Sequence, residues 1–346
     1  MVFRRMSPHS LDALIADLLR PTDELSRPQL NALRHLLNDL QSIKLNIKMH
    51  GYEIARQLAD ALPIRSDLKA QEIPLASKAC TQADMESDWC AYWLSRLRSP
   101  VIFHRKLWEF AFVLQALWQH GHLAAGQRGL GFGCGTEPLP SLFASHGIDI
   151  VATDLAADHQ VGDGWTATNQ HTSSLEALFQ SRLVERDKFE RHVSLTYVDM
   201  REIPPSLTGF DFCWSICALE HLGTIGQGLD FIEASLSTLR SGGTAVHTTE
   251  YNFLDDEKTI DNWPTVLFQR AHFRQLCERL TAKGHKVAPL DFNVGQKPLD
   301  RFIDVPPYPG DWSDYQKSIW PAQPTHLKLT IDGFASTCFG LIVQKA

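Results

Sequence analysis

Two short segments of this sequence carry groups suited to moving protons: CALEHLG, with Glu220 and His221, and HTTE, with His247 and Glu250. An imidazole is the usual proton acceptor near neutral pH, and a carboxylate is the common alternative. Each segment lies at the end of a short apolar run, at 210–216 and 244–249, so both pairs are expected at the carboxyl ends of neighbouring strands. Alternation along the second strand puts His247 and Thr249 on one face, Thr248 and Glu250 on the other. For His221 a structural role stands level with a catalytic one.

A third segment supplies a cradle. In RGLGFGCGTEPLPSLFASHGIDIVATDL (128–155), Gly133-Cys134-Gly135-Thr136 closes one apolar run and Asp154 closes the next, 21 residues beyond Gly133. Glycine at such a turn lets the backbone approach a ligand with no Cβ in the way. In a doubly wound sheet, ligands sit outside the carboxyl ends of the strands. There an acid such as Asp154 accepts hydrogen bonds from the two ribose hydroxyls of an adenine nucleoside. Asp199, in YVDMREIP, closes a third run, where an acid can reach the adenine amino group. The dinucleotide fingerprint G-x-G-x-x-G needs a third glycine at 138, which is proline, so that reading fails.

This ordered set resembles the class I S-adenosylmethionine-dependent methyltransferases. The match runs over 128–250 and extends plausibly to the C-terminus: Gly133 and Gly135 in the glycine loop, Asp154 as the ribose acid, Asp199 as the adenine-side acid. Phe210-Asp211 with Leu219-Glu220-His221 matches the fourth strand, and Ser241-Gly242-Gly243 the turn before the fifth. The resemblance implies S-adenosyl-L-methionine as cofactor. The positions implied to touch it are Gly131, Gly133, Gly135, Thr136, Glu137, Asp154, Leu155, Asp199, Met200 and Ser215. Two positions depart from the family pattern. Gly131 stands where an acid is usual, and Glu137 where a third glycine is usual, so Glu137 is the candidate to meet the methionine ammonium. Arg105 and Lys106 are candidates for its carboxylate, and Trp108, Phe132 and Trp214 for rings near the sulfonium. In the ubiquinone-pathway O-methyltransferases an ExxEH frame is associated with a divalent ion. The same frame reads Cys217-Ala218-Leu219-Glu220-His221, with a cysteine first, so no metal is expected.

These groups need a scaffold, and the chain announces one. Apolar runs at 128–132, 149–153, 193–198, 210–216 and 244–249 alternate with helical segments, the rhythm of a parallel sheet covered on both faces. HKVAPLDF, HLKLTI and STCFGLIVQ follow without long helices between them and suggest an antiparallel finish. The expected fold is α/β: a doubly wound, mostly parallel seven-stranded Rossmann-like sheet with an N-terminal helical extension. The expected division is 1–85 for the extension and 86–346 for the cofactor-binding domain. Residues 28–62 read as one helix carrying Leu33, Leu37, Leu40, Ile47, Ile54 and Leu58, broken by Lys44 and Gly51. Two readings of that stripe stand level: packing on its own domain, or a homo-oligomer interface. Residues 63–85 read as a linker, and 86–122 as helix. The stretch from 154 to 199 is long for one crossover, and its DGWTATNQH segment reads as a surface insertion or as a cover for the cofactor.

Composition sets the remaining bounds. With 44% hydrophobic and 21% charged residues the chain is globular, and a net charge of −7 argues against nucleic acid as partner. Seven scattered cysteines without a CxxC pair read as buried thiols in a cytoplasmic protein. No apolar run reaches the roughly 18 residues of a membrane span. The expected activity is O-methylation of a small-molecule or glycan acceptor. The alternatives are N-methylation of a small metabolite and a non-catalytic nucleotide-binding or scaffold protein that keeps the fold.

Overall fold

The computed structural model describes residues 32–156, 174–308, 312–319 and 325–346, with isolated positions before residue 28. The DGWTATNQH insertion lies outside the described residues. Two compact units are formed, one from Met1–Ile54 with Asp304–Ala322, the other from Ala55–Ile303 with Gln323–Ala346.

In chain order the elements are α1 (Ala32–Asp60), β1 (Ser77–Ala79), α2 (Gln82–Met85), α3 (Asp88–Arg96), α4 (Arg105–Gln119), β2 (Arg128–Phe132), α5 (Leu139–Ser145), β3 (Asp149–Asp154), α6 (Arg186–His192), β4 (Val193–Tyr197) and β5 (Phe210–Ile216). They continue with α7 (Ile225–Ser235), β6 (Leu239–Asn252), α8 (Arg270–Ala282), β7 (Lys286–Val287), β8 (Leu290–Asp291), α9 (Pro298–Arg301), β9 (Ile303–Asp304), α10 (Asp314–Ile319), β10 (Lys328–Ile331) and β11 (Phe334–Gln344).

The helix starts follow local chemistry. Ser87 accepts from the Cys90 amide at the head of α3, and Thr224 accepts from the Gln227 amide at the head of α7. Each satisfies a donor that the first turn would leave unpaired. At α4 the ring of His104 does the same for Lys106.

The sheet of the larger unit runs β4-β3-β2-β5-β6-β11, with β2 to β6 parallel and β11 antiparallel to β6 from Ser336↔Asn252 to Gln344↔Thr244. That is the expected doubly wound order with its antiparallel finish. The outer edge of β11 is shared by three short strands, β10, β1 and β7, so the seventh position is a composite rather than one strand. One of those pieces comes from the segment read as a linker. Lys78 pairs with Gly340 and Ala79 with Phe339, so 77–79 is built into the sheet edge rather than lying outside it. The helical stretch read at 86–122 is two helices, α3 and α4, interrupted at 97–104.

Two apolar layers sandwich the sheet. α3, α4 and α5 pack with Ile150, Phe212, Trp214 and Val246 on one face. α7 and α8 pack with Leu130, Phe132, Cys213 and Ala245 on the other. All seven cysteines are free thiols, and six of them are buried.

Candidate active site

β2 delivers its glycine loop to the carboxyl edge of the sheet. Gly133 and Gly135 hold φ of +59° and +51°, a region that only glycine enters without steric cost. A Cβ on Gly133 would stand 2.8 Å from that of Ala218, so the loop also needs glycine to lie against the segment leaving β5. The Cys134 amide donates to the Thr153 carbonyl, which ties the loop to the end of β3. Asp154, almost fully buried, accepts from the Gly135 amide at 3.1 Å through Oδ2 and from the Leu155 amide at 2.8 Å through Oδ1. Met200 packs beside Gly133, and Thr136 faces solvent. Asp199 lies beyond β4 as expected, but its carboxylate is clasped by Arg201, with Nε 3.0 Å from Oδ1 and Nη2 2.5 Å from Oδ2.

The departure at Gly131 has a steric cause. A Cβ there would lie 2.5 Å from the Trp214 indole and 2.4 Å from Cys134 Sγ, so no side chain fits. The indole occupies the place that an acid at 131 would need, and its Nε1 donates to Glu137 Oε1 at 2.5 Å. Glu137 thus holds a carboxyl beside the loop from the opposite end of the motif. Burial pushes its pKa from 4.5 up to about 8, against the opposing pull of the Trp214 hydrogen bond. Because the folded pKa exceeds the unfolded one, the folded state binds the extra proton between these values. The resulting stability is full below pH 4.5 and is lost as pH rises through about 8. Melting temperature should therefore decline over that window, and Glu137→Gln should flatten the decline in a calorimetric pH series.

Where β5 and β6 end, the structure assembles a buried polar cluster larger than the sequence suggested. Glu109, from the middle of α4, accepts from Cys217 Sγ at 2.9 Å and from Thr248 Oγ1, and its Oε1 lies 3.3 Å from Lys106 Nζ. Burial pushes the Glu109 carboxyl up, but Lys106 and Arg105 outweigh it and hold the group below its ordinary range. Glu250 pairs with Arg105 and accepts from Ser336 Oγ at 2.7 Å. Glu220 accepts from Thr249 Oγ1 at 3.0 Å; burial first, and Glu250 second, raise its pKa to about 8. One donor atom each from Cys217, Glu220 and Glu250 lie within 4.8 Å of one another, as do those of Glu109, Cys217 and Cys338. Lys106 and Arg105 already offset the charges of Glu109 and Glu250. Glu109 carries a signal in the sequence, as an acid inside the otherwise apolar run LWEFAFVL. Ser336 and Cys338 had none, because only the β11–β6 pairing brings them to the site.

The four candidates for a base separate. His247 is fully buried under α7, with Nδ1 2.8 Å from Ser215 Oγ and Nε2 3.0 Å from Ser235 Oγ. Both nitrogens are engaged, and burial lowers its pKa to about 3, so it is a core histidine rather than a base. Ser215, expected beside the cofactor, is fully buried with its hydroxyl on His247 Nδ1. Glu250 is committed to Arg105, and Glu220 is largely protonated at neutral pH. His221 sits on the short 3-10 turn after β5, and its Nδ1 is 2.9 Å from the Pro264 carbonyl. A carbonyl only accepts, so Nδ1 carries the proton and Nε2 the lone pair of the neutral ring. Burial lowers its pKa, which keeps that neutral form at physiological pH.

The aromatic candidates are core residues. Trp108 stacks on Phe112 and donates to Asp84, Phe132 packs edge-on to Phe231, and Trp214 meets Phe143 and Glu137. Arg105 is held by Glu250, whereas Lys106 remains partly exposed beside Glu109.

No protein-family model matches the chain, and no curated protein does. Among solved structures it is similar to a putative sarcosine dimethylglycine methyltransferase from Galdieria sulphuraria, at 15% identity over 68% of this chain and 83% of that one, TM-score 0.41. It is also similar to the [4+2]-cyclase SpnF, at 18% identity over 69% and 82%, TM-score 0.41. A third is an S-adenosylmethionine-dependent methyltransferase from Mesorhizobium loti, at 12% identity over 66% and 98%, TM-score 0.35.

Proposed function

We propose that this protein is an S-adenosylmethionine-dependent methyltransferase that methylates oxygen on a small-molecule or sugar-like acceptor. The observation that carries the reading is the junction of Gly135 and Asp154. A positive-φ glycine loop after β2 hydrogen-bonds the acid that ends β3, where a nucleoside's hydroxyls would be read. The residues fit the cofactor. Gly133 and Gly135 provide a backbone cradle, Asp154 the ribose acceptor, and Glu137 a carboxyl, neutral by burial alone, that the incoming ammonium would ionise. Lys106 provides a cation for the carboxylate.

Bound S-adenosylmethionine supplies an electrophilic methyl group on a sulfonium. The protein's part is to hold donor and acceptor in line and to take the acceptor's proton. His221 suits the second task, because its Pro264 bond fixes the proton on Nδ1 and burial keeps the ring neutral. Glu220, protonated at neutral pH, can donate a hydrogen bond to a neutral acceptor without repelling a developing oxyanion. Isothermal titration of the full chain with S-adenosylmethionine, followed by an acceptor screen with a labelled methyl group, tests the reading. Binding in the micromolar range is expected. Absence of binding would leave the scaffold alternative, and transfer to nitrogen alone would remove the need for a base.

A further inference from the structure

We propose that α1 pairs with α1 of a second copy of this chain, as a parallel, in-register two-stranded coiled coil seamed by Leu40, Ile43, Ile47 and Ile54. In the smaller unit these four side chains are 45%, 52%, 45% and 44% exposed, and together they make one apolar stripe. Their spacing is that of the a and d positions of a heptad, with Leu40, Ile47 and Ile54 at a and Ile43 at d. In the sequence, Leu33 and Leu36 continue the same a and d positions one heptad earlier.

The helix already uses a different face for its own unit. Lys48, only 3% exposed, bonds Asp304 at 2.5 Å, and the Tyr52 hydroxyl donates to the same carboxylate at 2.8 Å. At 3.6 residues per turn, Lys48 and Tyr52 lie about 130° round the helix from the centre of the exposed stripe, so α1 is packed on one side and leaves an apolar stripe on another.

Charge selects the occupant and its direction. In a parallel pair, a g residue faces the e residue five positions later on the partner helix. Asp39 at g then meets Lys44 of the other copy at e, twice by symmetry. An antiparallel pair brings no lysine opposite Asp39. His50 at a d position limits the seam and marks its register.

Sedimentation of the full-length chain at micromolar concentration should give the mass of a dimer. Ile43→Glu with Ile47→Glu should raise the dissociation constant about 100-fold or more, since each carboxylate would be buried without a partner, and leave the circular dichroism unchanged. Asp39→Lys should weaken the dimer about two- to threefold, and adding Lys44→Asp should restore it. In a Cys277→Ser background, Ile47→Cys should cross-link two chains on mild oxidation, because a faces a only in a parallel pair. A wild-type chain that stays monomeric, or a dimer that survives the paired glutamates, overturns the proposal. A dimer that the glutamates dissolve but that never cross-links through position 47 overturns the parallel register.

Discussion

His221→Ala should lower kcat by about 100- to 10,000-fold, the usual contribution of a general base, and change the dissociation constant of S-adenosylmethionine by less than about threefold. The expectation rests on elimination by geometry. His247 has both nitrogens on serines, Glu250 is held by Arg105 and Ser336, and Glu220 is protonated near neutrality. His221 has its proton fixed on Nδ1 and a lowered pKa, so its ring is neutral at working pH. The sign of the pH dependence follows. With a folded pKa below 6.5, activity should persist under that value and fall only at lower pH, and this limb should vanish in the variant. His247→Ala is the informative contrast. It should leave kcat nearly intact while costing about 2–4 kcal/mol of stability, because it opens a cavity and removes the partner of the buried Ser215 hydroxyl. Near-full turnover by His221→Ala on the true acceptor would falsify the base assignment and favour an amine nucleophile.

Asp154→Ala should weaken S-adenosylmethionine binding about ten- to a hundredfold, equal to roughly 1.5–3 kcal/mol for charge-assisted hydrogen bonds lost from a desolvated hydroxyl pair. The same carboxylate also accepts from the Gly135 amide, so its removal loosens the loop as well as the ribose contact. Asp154→Asn separates the two effects. It retains an acceptor for Gly135 but presents a weaker, neutral partner to the ribose, so its loss should be intermediate. Titration calorimetry reads both variants, and a melting curve on each shows whether the loop change has spread. Unchanged affinity in Asp154→Ala would remove the adenosyl site from the end of β3.

How much of this was legible in the sequence depends on how local each feature is. The strands at 128–132 and 210–216 match the apolar runs residue for residue, and the Gly133–Gly135 loop with Asp154 lies where the motif order required. A parallel strand buried on both faces is a continuous apolar run, and a tight turn at its end demands glycine; both constraints act within a few residues. The alternation that separates His247 from Thr248 is equally local, and the structure keeps it.

What tertiary structure decided is which of these groups has a task. Gly131 looks like a missing acid until the Trp214 indole, one strand away, is seen to occupy its space and to bind Glu137. His247 and His221 are the same residue type at neighbouring strand ends. One meets two serines brought by β5 and α7, the other a carbonyl 43 positions downstream. Residues 77–79 carry no strand pattern of their own, and pairing with β11 alone makes them one. The sequence by itself determined which segments become strands and where the glycine–acid cradle lies, because backbone sterics and hydrophobic periodicity are short-range. The state of each titratable group, and the face on which α1 leaves its isoleucines, were decided by the fold, because burial and charge pairing depend on atoms that only folding brings together.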